Sequence, residues 1–535
     1  MLDVLRDLLS EGRNDDVLSI VEKLVARNHQ LEQRLSEVLA GRKKNEGISN
    51  AQLLLFLDAL ATVAESEDGS DAERTRANEN LRSVAGIDEA AAEELANKPI
   101  KEPKAQPSLR KPAPPHLRRI DNPIPVPQPE RPCPTCGVER ACIGHDVTEV
   151  IELIPAEVVV RRDRREKLAC NVCEGELVRA PVGDKVVAGG KLGTRLVSEL
   201  VTDKYRDGLP LHRQKQRFAR MGFDVSVSTL ADQVTWATDL LKPLWRAAIA
   251  RVLGAMVMHL DGTSLPVLDR DAPGGKKLGT LWGYVGDRDT ALYLYASTGK
   301  KTGQRPGELG PEDMLKLRNG YTVADAASTF DASFKREELI ECGCNMHARR
   351  YFVKALDGGD KRAALPLAAY KKLYDIEAGI ATAHAEAKLA ERQQRSRPVF
   401  DELVAWAKVH QPHEPPTSPL GAALRYLINH QLALGRFLED GVIPFDNGIV
   451  ERLHVRAALT RKNFLFAGSD AGGERAAIAF TILSCCALAK VNPTDYLSDV
   501  LPRLARRVRL RDLPDLLPAT WKAHREAAPP MPPPA

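Results

Sequence analysis

Residues 256–268 read Met-Val-Met-His-Leu-Asp-Gly-Thr-Ser-Leu-Pro-Val-Leu, an apolar run that holds a single carboxylate. Two further apolar runs follow at 281–285 and 291–296, and a turn-forming segment precedes each of them. Short runs rich in Val, Leu and Tyr predict consecutive antiparallel strands. A helix over 311–317 and one more apolar strand, which ends in a second carboxylate at 325, complete the pattern. The sequence therefore predicts a mixed α/β core.

Acidic residues stand at unusual places in this core. Asp261 lies within the first strand and Asp325 ends the last one. A carboxylate in a core strand is costly to bury without a cation, so the pair predicts a divalent metal. A third acid, Glu451, follows a long helical insertion on a helix that Asp446 or Asn447 caps. The order strand Asp, strand Asp, helix Glu is the layout of the ribonuclease H-like nucleotidyltransferases.

Ordered motifs extend over nearly the whole chain. They are Lys204-Tyr205, Gly208-Leu-Pro-Leu-His-Arg213, Ser228-Thr-Leu-Ala231, Cys344-Asn-Met-His-Ala-Arg-Arg350, Asp446-Asn-Gly-Ile-Val-Glu-Arg452, Arg461-Lys-Asn-Phe-Leu-Phe-Ala-Gly-Ser-Asp470 and Asn492-Pro-Thr-Asp-Tyr-Leu-Ser-Asp-Val-Leu501. Together with the paired cysteines and the zipper described below, this set resembles the transposases of the insertion sequence 66 family. The chain departs from the usual family pattern at Asp325-Ala-Ala, at Met346 and at Gly448.

The resemblance implies a DDE transposase, an enzyme that binds transposon ends and cleaves and joins DNA. Asp261, Asp325 and Glu451 match its catalytic triad, and Asp331 is the alternative to Asp325. Such a triad holds two Mg²⁺ (or Mn²⁺) ions, which activate the attacking oxygen and stabilise the leaving oxygen. Water first frees a 3′-hydroxyl at the transposon end, and that hydroxyl attacks target DNA. The competing hypothesis is a non-catalytic, dimeric zinc-ribbon DNA-binding regulator derived from a transposase.

Two CxxC pairs, Cys133/Cys136 and Cys170/Cys173, are separated by residues 137–169. Two such knuckles complete a tetrahedral sulfur site that suits one structural Zn²⁺. Strand-like runs within 148–162 predict a hairpin between the knuckles, so residues 133–180 read as a zinc ribbon. Cys142 and His145 are alternative ligands. A redox role is disfavoured because no thioredoxin-like βαβ pattern surrounds either pair.

Basic residues at three places are candidate DNA contacts. Residues 190–250 predict a helical, helix-turn-helix-like DNA-binding segment. The candidates are Arg161, Arg162, Arg164 and Arg165 on the ribbon, Arg217 and Arg220 on the helical segment, and Arg452, Arg456, Arg461 and Lys462 beside Glu451. His259 is a candidate for tuning the acidic site, and His347, Arg349 and Arg350 are candidates for touching DNA. For each histidine a structural role is an equal alternative.

The N-terminal region, residues 1–97, reads as helical. Residues 17–38 carry an apolar seam at alternating spacings of four and three, interrupted only by Asn28. This pattern predicts a parallel two-stranded coiled coil, and hence a homodimer or higher oligomer. The alternative is an amphipathic helix that packs on its own domain. Residues 98–132 form a basic linker, since 12 of the 36 prolines fall between Pro99 and Pro134.

The remaining boundaries follow from these motifs. The ribonuclease H-like core is predicted at 251–344 and 446–490, interrupted by an all-helical insertion over 345–445. Residues 491–535 form a C-terminal helical segment and a disordered tail. The predicted class is thus multidomain: coiled coil, zinc ribbon, helical DNA-binding segment and interrupted α/β catalytic core.

Composition bounds the functional class. The 535 residues carry 76 Lys+Arg and 72 Asp+Glu, a formal charge of +4, which argues against a wholly basic nucleic-acid coat. No apolar run reaches the roughly 20 residues of a membrane-spanning helix, and no leader pattern opens the chain. We expect a bacterial cytoplasmic protein without a membrane partner, nucleoid-associated when bound to DNA. The expected partners are transposon terminal inverted repeats, target DNA and accessory proteins of the same element.

Overall fold

The computed structural model describes residues 72–86, 118–121, 134–139, 157–168, 178–180 and 190–527. Residues 124, 127, 128, 131, 142 and 145 are also described, and 299, 301, 306, 326–329 and 416 are not. The predicted zipper at 17–38 and Cys133, Cys170 and Cys173 lie outside these residues. The chain divides into two compact units, one of residues 1–97, 351–381 and 395–425, and one of 98–350, 382–394 and 426–535.

The larger unit is built on a five-stranded sheet. Its strands are β3 (Val257–Leu268), β4 (Lys276–Gly286), β5 (Thr290–Ala296), β6 (Gly320–Ala324) and β7 (Leu339–Gly343), in the order β5-β4-β3-β6-β7. β3, β4 and β5 pair antiparallel, as the sequence predicts, whereas β6 pairs parallel to both β3 and β7. The sheet is therefore mixed, with β3 at the change from antiparallel to parallel pairing.

Strand β4 is longer than the apolar run at 281–285 suggests. It begins at Lys276 and pairs with β3 along nearly its whole length, from Leu268↔Lys276 to Met258↔Gly286. The first residues of β4 are polar and mostly exposed, and only the later half of the strand is buried. An apolar pattern therefore marks only that later half. Hydrogen bonding to β3, rather than side-chain burial, extends this strand.

Helices surround the sheet and connect its strands. In chain order the described α-helices are α1 (Ala72–Ala85), α2 (Thr194–Tyr205), α3 (Leu211–Arg220), α4 (Val227–Leu253), α5 (Pro311–Leu317), α6 (Asn345–Asp357), α7 (Ala364–Gly379), α8 (Ala385–Glu391), α9 (Arg397–His410), α10 (Pro419–Asn429), α11 (Gln431–Gly435), α12 (Gly448–Phe464), α13 (Asp470–Leu488), α14 (Pro493–Ala505) and α15 (Pro518–Ala527). All secondary-structure elements described within 345–445 are helices, as the sequence predicts for the insertion.

Apolar cores lie on both faces of the sheet. Leu265 and Val267 of β3 pack in one core with residues of α2, α4, α13 and α14. Met258 and Leu260, at the opposite parity, pack in a second core with residues of α5, β6 and β7. His259 and Asp261 share the parity of Leu265, so the acid lies on the face covered by the first core.

The helices of 190–250 belong to this first core. The side chain of Ser226 caps α4 by accepting a hydrogen bond from the Thr229 backbone N–H at 3.0 Å. α4 continues to Leu253, and its buried residues Leu230, Leu241 and Leu244 share the cluster with the sheet. The helix-turn-helix-like segment is thus packed against the sheet through a shared core.

Helix α13 is the longest apolar helix of the described residues. It is the one helix there that has the length and composition to cross a membrane, and 67% of the tested window is buried inside the fold. Thr481 and Cys485 on α13 hydrogen-bond to the backbone of β5, at Tyr293 N (2.8 Å) and Ala291 O (3.2 Å). Such burial is typical of a core helix, and length and composition alone are weak signs of a membrane span.

The smaller unit is all-helical in its described part. α1 packs against α7 and α9, and buried Trp406 donates from Nε1 to Asn78 Oδ1 at 2.6 Å. Arg362 pairs with Asp360 and Glu414 in the same unit. A helix from the N-terminal region thus joins helices of the insertion, a long-range association that local patterning does not predict.

Around the cysteines, short stretches are described. A turn at 134–136 ends in the exposed Cys136, and Gly137 follows with φ +74°. β1 (Lys167–Leu168) and β2 (Val178–Arg179) pair antiparallel on either side of the second CxxC. Residues 157–162 of the predicted hairpin are not in a strand. The strand prediction was wrong for these residues, because Val158, Val159 and Val160 form no strand pairing with any described residue despite their strand propensity. Residues 148–156, the other half of the predicted hairpin, lie outside the described residues.

Candidate active site

Strand pairing brings the two aspartates together. β3 and β6 run parallel, with His259 opposite Val323. Two residues further along stand Asp261, within β3, and Asp325, directly after the last residue of β6. Because parallel strands advance in step, these carboxylates lie side by side. Burial raises the pKa of Asp261, and the negative charge of Asp325 raises it further.

Asn447 anchors the helix that carries Glu451, α12, to strand β3. Its Nδ2 donates to Leu260 O at 2.8 Å, so its Oδ1 is the acceptor that faces His259 Nδ1 at 3.0 Å. Its backbone N–H also donates to Cys344 Sγ at 3.2 Å. Since Asn447 is the N-cap of α12, these contacts hold the first turn of that helix, and with it Glu451, against β3.

The cap of α12 combines two residues. Asp446 Oδ1 accepts a hydrogen bond from the Gly448 backbone N–H at 2.9 Å. Asn447 occupies the N-cap position, but its side chain bonds to β3 and makes no cap hydrogen bond. The sequence left Asp446 and Asn447 as alternatives for the cap. In the structure Asp446 accepts the hydrogen bond from the helix end, and Asn447 anchors the helix to β3.

Glu451 is half-buried and faces two basic side chains. Arg350 Nη2 donates to Glu451 Oε2 at 2.5 Å, and His347 Nε2 lies 3.5 Å from Oε1. Burial raises the pKa of Glu451, the bond and charge of Arg350 act to lower it, and the charge of Asp261 raises it. His347 Nε2 is also 4.0 Å from Asp325 Oδ2. This imidazole therefore links the second and third acids.

Tyr426 and His454 complete the surroundings of the acids. Tyr426 donates its hydroxyl hydrogen to Asp325 Oδ1 at 2.9 Å. His454 Nε2 lies 3.6 Å from Asp261 Oδ2, and burial lowers the pKa of His454 to about 4. The structure brings all three predicted acids together with His347 and Arg350. Tyr426 and His454 were not among the predicted site residues, although His454 stands one helical turn after Glu451, a spacing that indicates a shared face.

A glycine makes room for His454. Gly283 is paired with Asp261 across β3 and β4. A Cβ at Gly283 would stand 2.7 Å from His454 Cε1 and 3.2 Å from Val450 Cγ2. Any other residue at 283 would therefore push α12 or its histidine away from the first aspartate.

Oxygen donors of the three acids suit a hard divalent cation. In the described part of the chain, Glu451 Oε1 is buried and accepts no hydrogen bond. A buried carboxylate oxygen without a donor is costly, and a cation satisfies it. Cys344, His347 and Glu451 also place one potential ligand atom each within 4.8 Å of one another. However, burial raises the pKa of Cys344 to about 12, so its sulfur stays a thiol.

The predicted DNA contacts differ in their surroundings. Arg217 pairs with Asp203, and Arg161 pairs with Asp163. Arg461 donates to Ser264 Oγ at 3.3 Å, and buried Arg456 Nη1 has no hydrogen-bond partner among the described residues. The exposed side chains are Arg162, Arg164, Arg165, Arg220, Arg452 and Lys462. The structure thus gives Arg161 and Arg217 carboxylate partners within the chain.

Two family profiles match the chain. Residues 189–475, more than half of it, match the transposase IS66 family, and residues 130–174 match the zinc-finger binding domain of transposase IS66. The second match covers Cys133, Cys136, Cys170 and Cys173. The matches confirm the family resemblance and show a zinc-finger domain followed by a mixed α/β core rich in helices.

Curated relatives come from Sinorhizobium fredii (strain NBRC 101917 / NGR234). The uncharacterized protein y4hP is 32% identical over 471 residues, 83% of this chain and 83% of the relative. The uncharacterized protein y4qI is 29% identical over 525 residues, 95% of this chain and 96% of the relative. The likeness therefore extends over nearly the full length of both proteins. The chain belongs to the IS66 family of transposases.

Proposed function

We propose that the chain is a DDE transposase that binds transposon-end DNA and catalyses metal-dependent strand cleavage and strand transfer. One observation carries the proposal. Asp261, Asp325 and Glu451 come from three distant segments and converge, and Glu451 Oε1 is buried without a hydrogen bond. A surface cluster of acids has no reason to converge in this way, whereas a cation site needs it.

The core is proposed to be ribonuclease H-like. An antiparallel meander, β3–β4–β5, is followed by a parallel strand, β6, and the first two acids stand on the central strand and its parallel neighbour. The third acid comes from a helix after the insertion. This arrangement supports the order strand Asp, strand Asp, helix Glu inferred from the sequence.

Asp261, Asp325 and Glu451 would hold two Mg²⁺ or Mn²⁺ ions. When bound, such ions activate an attacking oxygen and stabilise the leaving oxygen of a phosphodiester displacement. The chain's own residues prepare the site. The hydrogen bond and charge of Arg350 act to lower the pKa of Glu451 against the effect of burial, Tyr426 orients Asp325, and Asn447 fixes α12 on β3.

DNA is the proposed partner, in the form of terminal inverted repeats and target duplex. Arg452 and Lys462 are exposed on the helix that carries Glu451, and Arg456 and Arg461 are half-buried beside them. Cations on this helix can position phosphates near the acids without reading sequence. Arg162, Arg164 and Arg165 of the zinc module and Arg220 of α3 are proposed as further phosphate contacts. DNA binding would associate the protein with the bacterial nucleoid.

The zinc module is proposed to hold one structural Zn²⁺ through Cys133, Cys136, Cys170 and Cys173. The turn at 134–136, the positive φ of Gly137 and the exposed thiol of Cys136 are typical of a zinc knuckle. Metal analysis of the purified protein should find about one zinc per chain, and Cys136→Ser should lower that content. A folded, zinc-free protein would refute this assignment. Dimerisation through residues 17–38 and binding of accessory proteins remain proposals from the sequence.

The decisive experiment is a cleavage assay on labelled duplex that carries the element's own ends, with Mg²⁺ or Mn²⁺. Asp261→Asn and Glu451→Gln should lose cleavage by at least a thousandfold, while the exposed Glu337→Gln serves as the matched control and should cleave normally. If the wild-type protein nicks DNA no better than these two variants, the proposed enzymatic activity is refuted. Binding without cleavage would then favour the dimeric zinc-ribbon regulator.

A further inference from the structure

A second cleft lies on the same sheet face as the acids. It encloses about 260 Å³, far more than the roughly 30 Å³ of one water molecule in the liquid, so it is not a packing defect. α2, α4, α12, α13 and the segment after α12 all contribute to its wall. The residues that matter for binding are Lys204, Arg461, Phe464, Phe466 and Arg475.

The cations of this cleft lack internal counterions. In the described part of the chain no carboxylate pairs with Lys204 or Arg475. Burial, together with the charge of Arg475, lowers the pKa of Lys204 to about 8. Two neighbouring cations that are partly withdrawn from water form a costly arrangement, and a bound anion would relieve it.

Aromatic rings stand beside these cations. Lys204 Nζ lies 4.7 Å from the centroid of the Phe464 ring and 5.1 Å from that of Tyr205. Phe466, also in the wall, leaves 39% of its surface exposed. A phosphate-binding charge pair next to an open aromatic face matches the two parts of a nucleotide, its phosphate and its base.

The backbone is strained at Leu465, the residue between Phe464 and Phe466. Leu465, between them, has φ +60° and ψ −43°, and Phe466 N donates to Phe464 O at 2.6 Å. This is the rare γ-turn with positive φ, which is unfavourable for a branched side chain such as leucine. Strain of this kind persists where the surroundings enforce it, and it clusters at binding sites. The turn holds Phe464 and Phe466 at the same cleft.

The cleft lies within reach of a strand held at the acids. Leu265 of β3 lines it, on the same face as Asp261 and four residues further on, about 13 Å along the strand. Along α12, Arg461 stands ten residues after Glu451, about 15 Å. A stacked DNA strand spans that distance in about four nucleotides.

We propose that this cleft binds one unpaired nucleotide of the DNA strand whose phosphodiester lies at the acids. Lys204 and Arg475 hold its phosphate, and Phe466 stacks on its base. The inference rests on the proposed transposase function, because a DNA strand must be present. It predicts that the protein prefers DNA with an unpaired nucleotide about four positions from the cleaved bond.

The test measures binding in the absence of divalent cations, so that it does not depend on cleavage. Fluorescence anisotropy would compare an end duplex that has unpaired nucleotides with a fully paired one, and with one in which the unpaired position is abasic. Wild type should bind the unpaired form at least tenfold more tightly than the other two. Equal binding of all three would overturn the proposal.

Variants then assign the contacts. Phe466→Ala and Phe466→Leu should each remove the preference for a base over an abasic site, since leucine restores apolar volume but not the aromatic face. Lys204→Gln should weaken binding and reduce the salt dependence by about one phosphate contact. The surface control Lys215→Gln should do neither. Retention of the base preference in both Phe466 variants would refute stacking, and thermal melting checks that each variant is folded.

A free nucleotide shares the same chemistry, so thymidine monophosphate is tested as a competitor. Displacement of the labelled DNA only at millimolar concentration supports a nucleotide held within a strand. Micromolar displacement would make the cleft a site for free nucleotides and overturn the assignment. A cleavage-dead Asp261→Asn protein should keep the full base preference. Failure of the cleavage assay is therefore distinguishable from failure of this inference.

Discussion

Arg350 and Glu451 are joined by a charged hydrogen bond of 2.5 Å between Nη2 and Oε2. Arg350 lies on the first helix of the insertion and Glu451 on the helix that follows the insertion. Arg350 acts on the pKa of Glu451 against burial, which raises it. The pairing therefore opposes the effect of burial and favours the charged form of the carboxylate.

Arg350→Gln should therefore slow cleavage about tenfold near pH 7 and shift the acidic limb of the pH–rate profile to higher pH. Without the guanidinium the pKa of Glu451 rises further, so less of it is ionised at a given pH, and activity should recover as pH increases. Arg349→Gln provides the neighbouring control. A uniformly lower rate with an unchanged profile would contradict this role.

Asp325 and Asp331 can be separated directly. Asp325 accepts from Tyr426 and lies 4.0 Å from the His347 imidazole, whereas Asp331 is exposed. Asp325→Asn should abolish cleavage, and Asp331→Asn should leave it within about threefold of wild type. Tyr426→Phe should slow cleavage roughly ten- to a hundredfold, which corresponds to the usual contribution of one hydrogen bond to a charged group. The reverse order for the two aspartates would move the second acid to 331.

Gly283→Ala should destabilise the larger unit by about 1–3 kcal/mol, the usual cost of overpacking. The new methyl group would meet His454 Cε1 at 2.7 Å and displace it from Asp261. Gly379→Ala is the matched control, because a Cβ there meets nothing within 4 Å. Urea unfolding and the cleavage rate measure the two consequences. Equal stability of the two variants would show that α12 accommodates the group.

Two buried histidines make stability depend on pH. Burial lowers the pKa of both His259 and His454 to about 4, below the ordinary value of about 6.5. Between these values the unfolded chain binds protons that the folded chain does not. Their contribution is thus fully present above pH 6.5 and is lost as pH falls towards 4, at up to about 1.4 kcal/mol per unit for each group.

His454→Asn should therefore show a shallower loss of stability between pH 7 and pH 4.5 than wild type. Urea midpoints measured across that range provide the comparison. The exposed His524→Asn is the control and should retain the wild-type slope. Parallel pH dependence in all three proteins would mean that His454 is not buried in its neutral form.

Local patterning predicts the parts of the fold that local residues determine. Short apolar runs predict β3, β5 and β6, and the pattern of residues 190–250 predicts helices there. Asp261 could be found from the sequence because a charge inside an apolar strand is unfavourable and therefore conspicuous. Glu451 needed the resemblance, since a glutamate in the first turn of a helix is ordinary on its own.

Contacts between residues that are distant in sequence cannot be predicted from local sequence patterns. Tyr426 is an unremarkable helical tyrosine until folding brings it to Asp325, 101 residues away. The association of α1 with α7 and α9 depends likewise on surfaces that are distant in sequence. The start of β4 is set by hydrogen bonds to β3, which leave no side-chain pattern. Arg217, expected at DNA, pairs with Asp203 because that buried acid lies on the adjacent helix.

The position of Asn447 in the chain also sets how late in synthesis the three acids of the proposed site can come together. Its side chain joins α12 to β3 across 188 residues, and contacts so distant in sequence form late because a long loop must close first. A ribosome that is translating the insertion has already added both aspartates to the chain but not the glutamate. A nascent or truncated chain that ends before Asn447 therefore has two of the three acids and no means of completing the set.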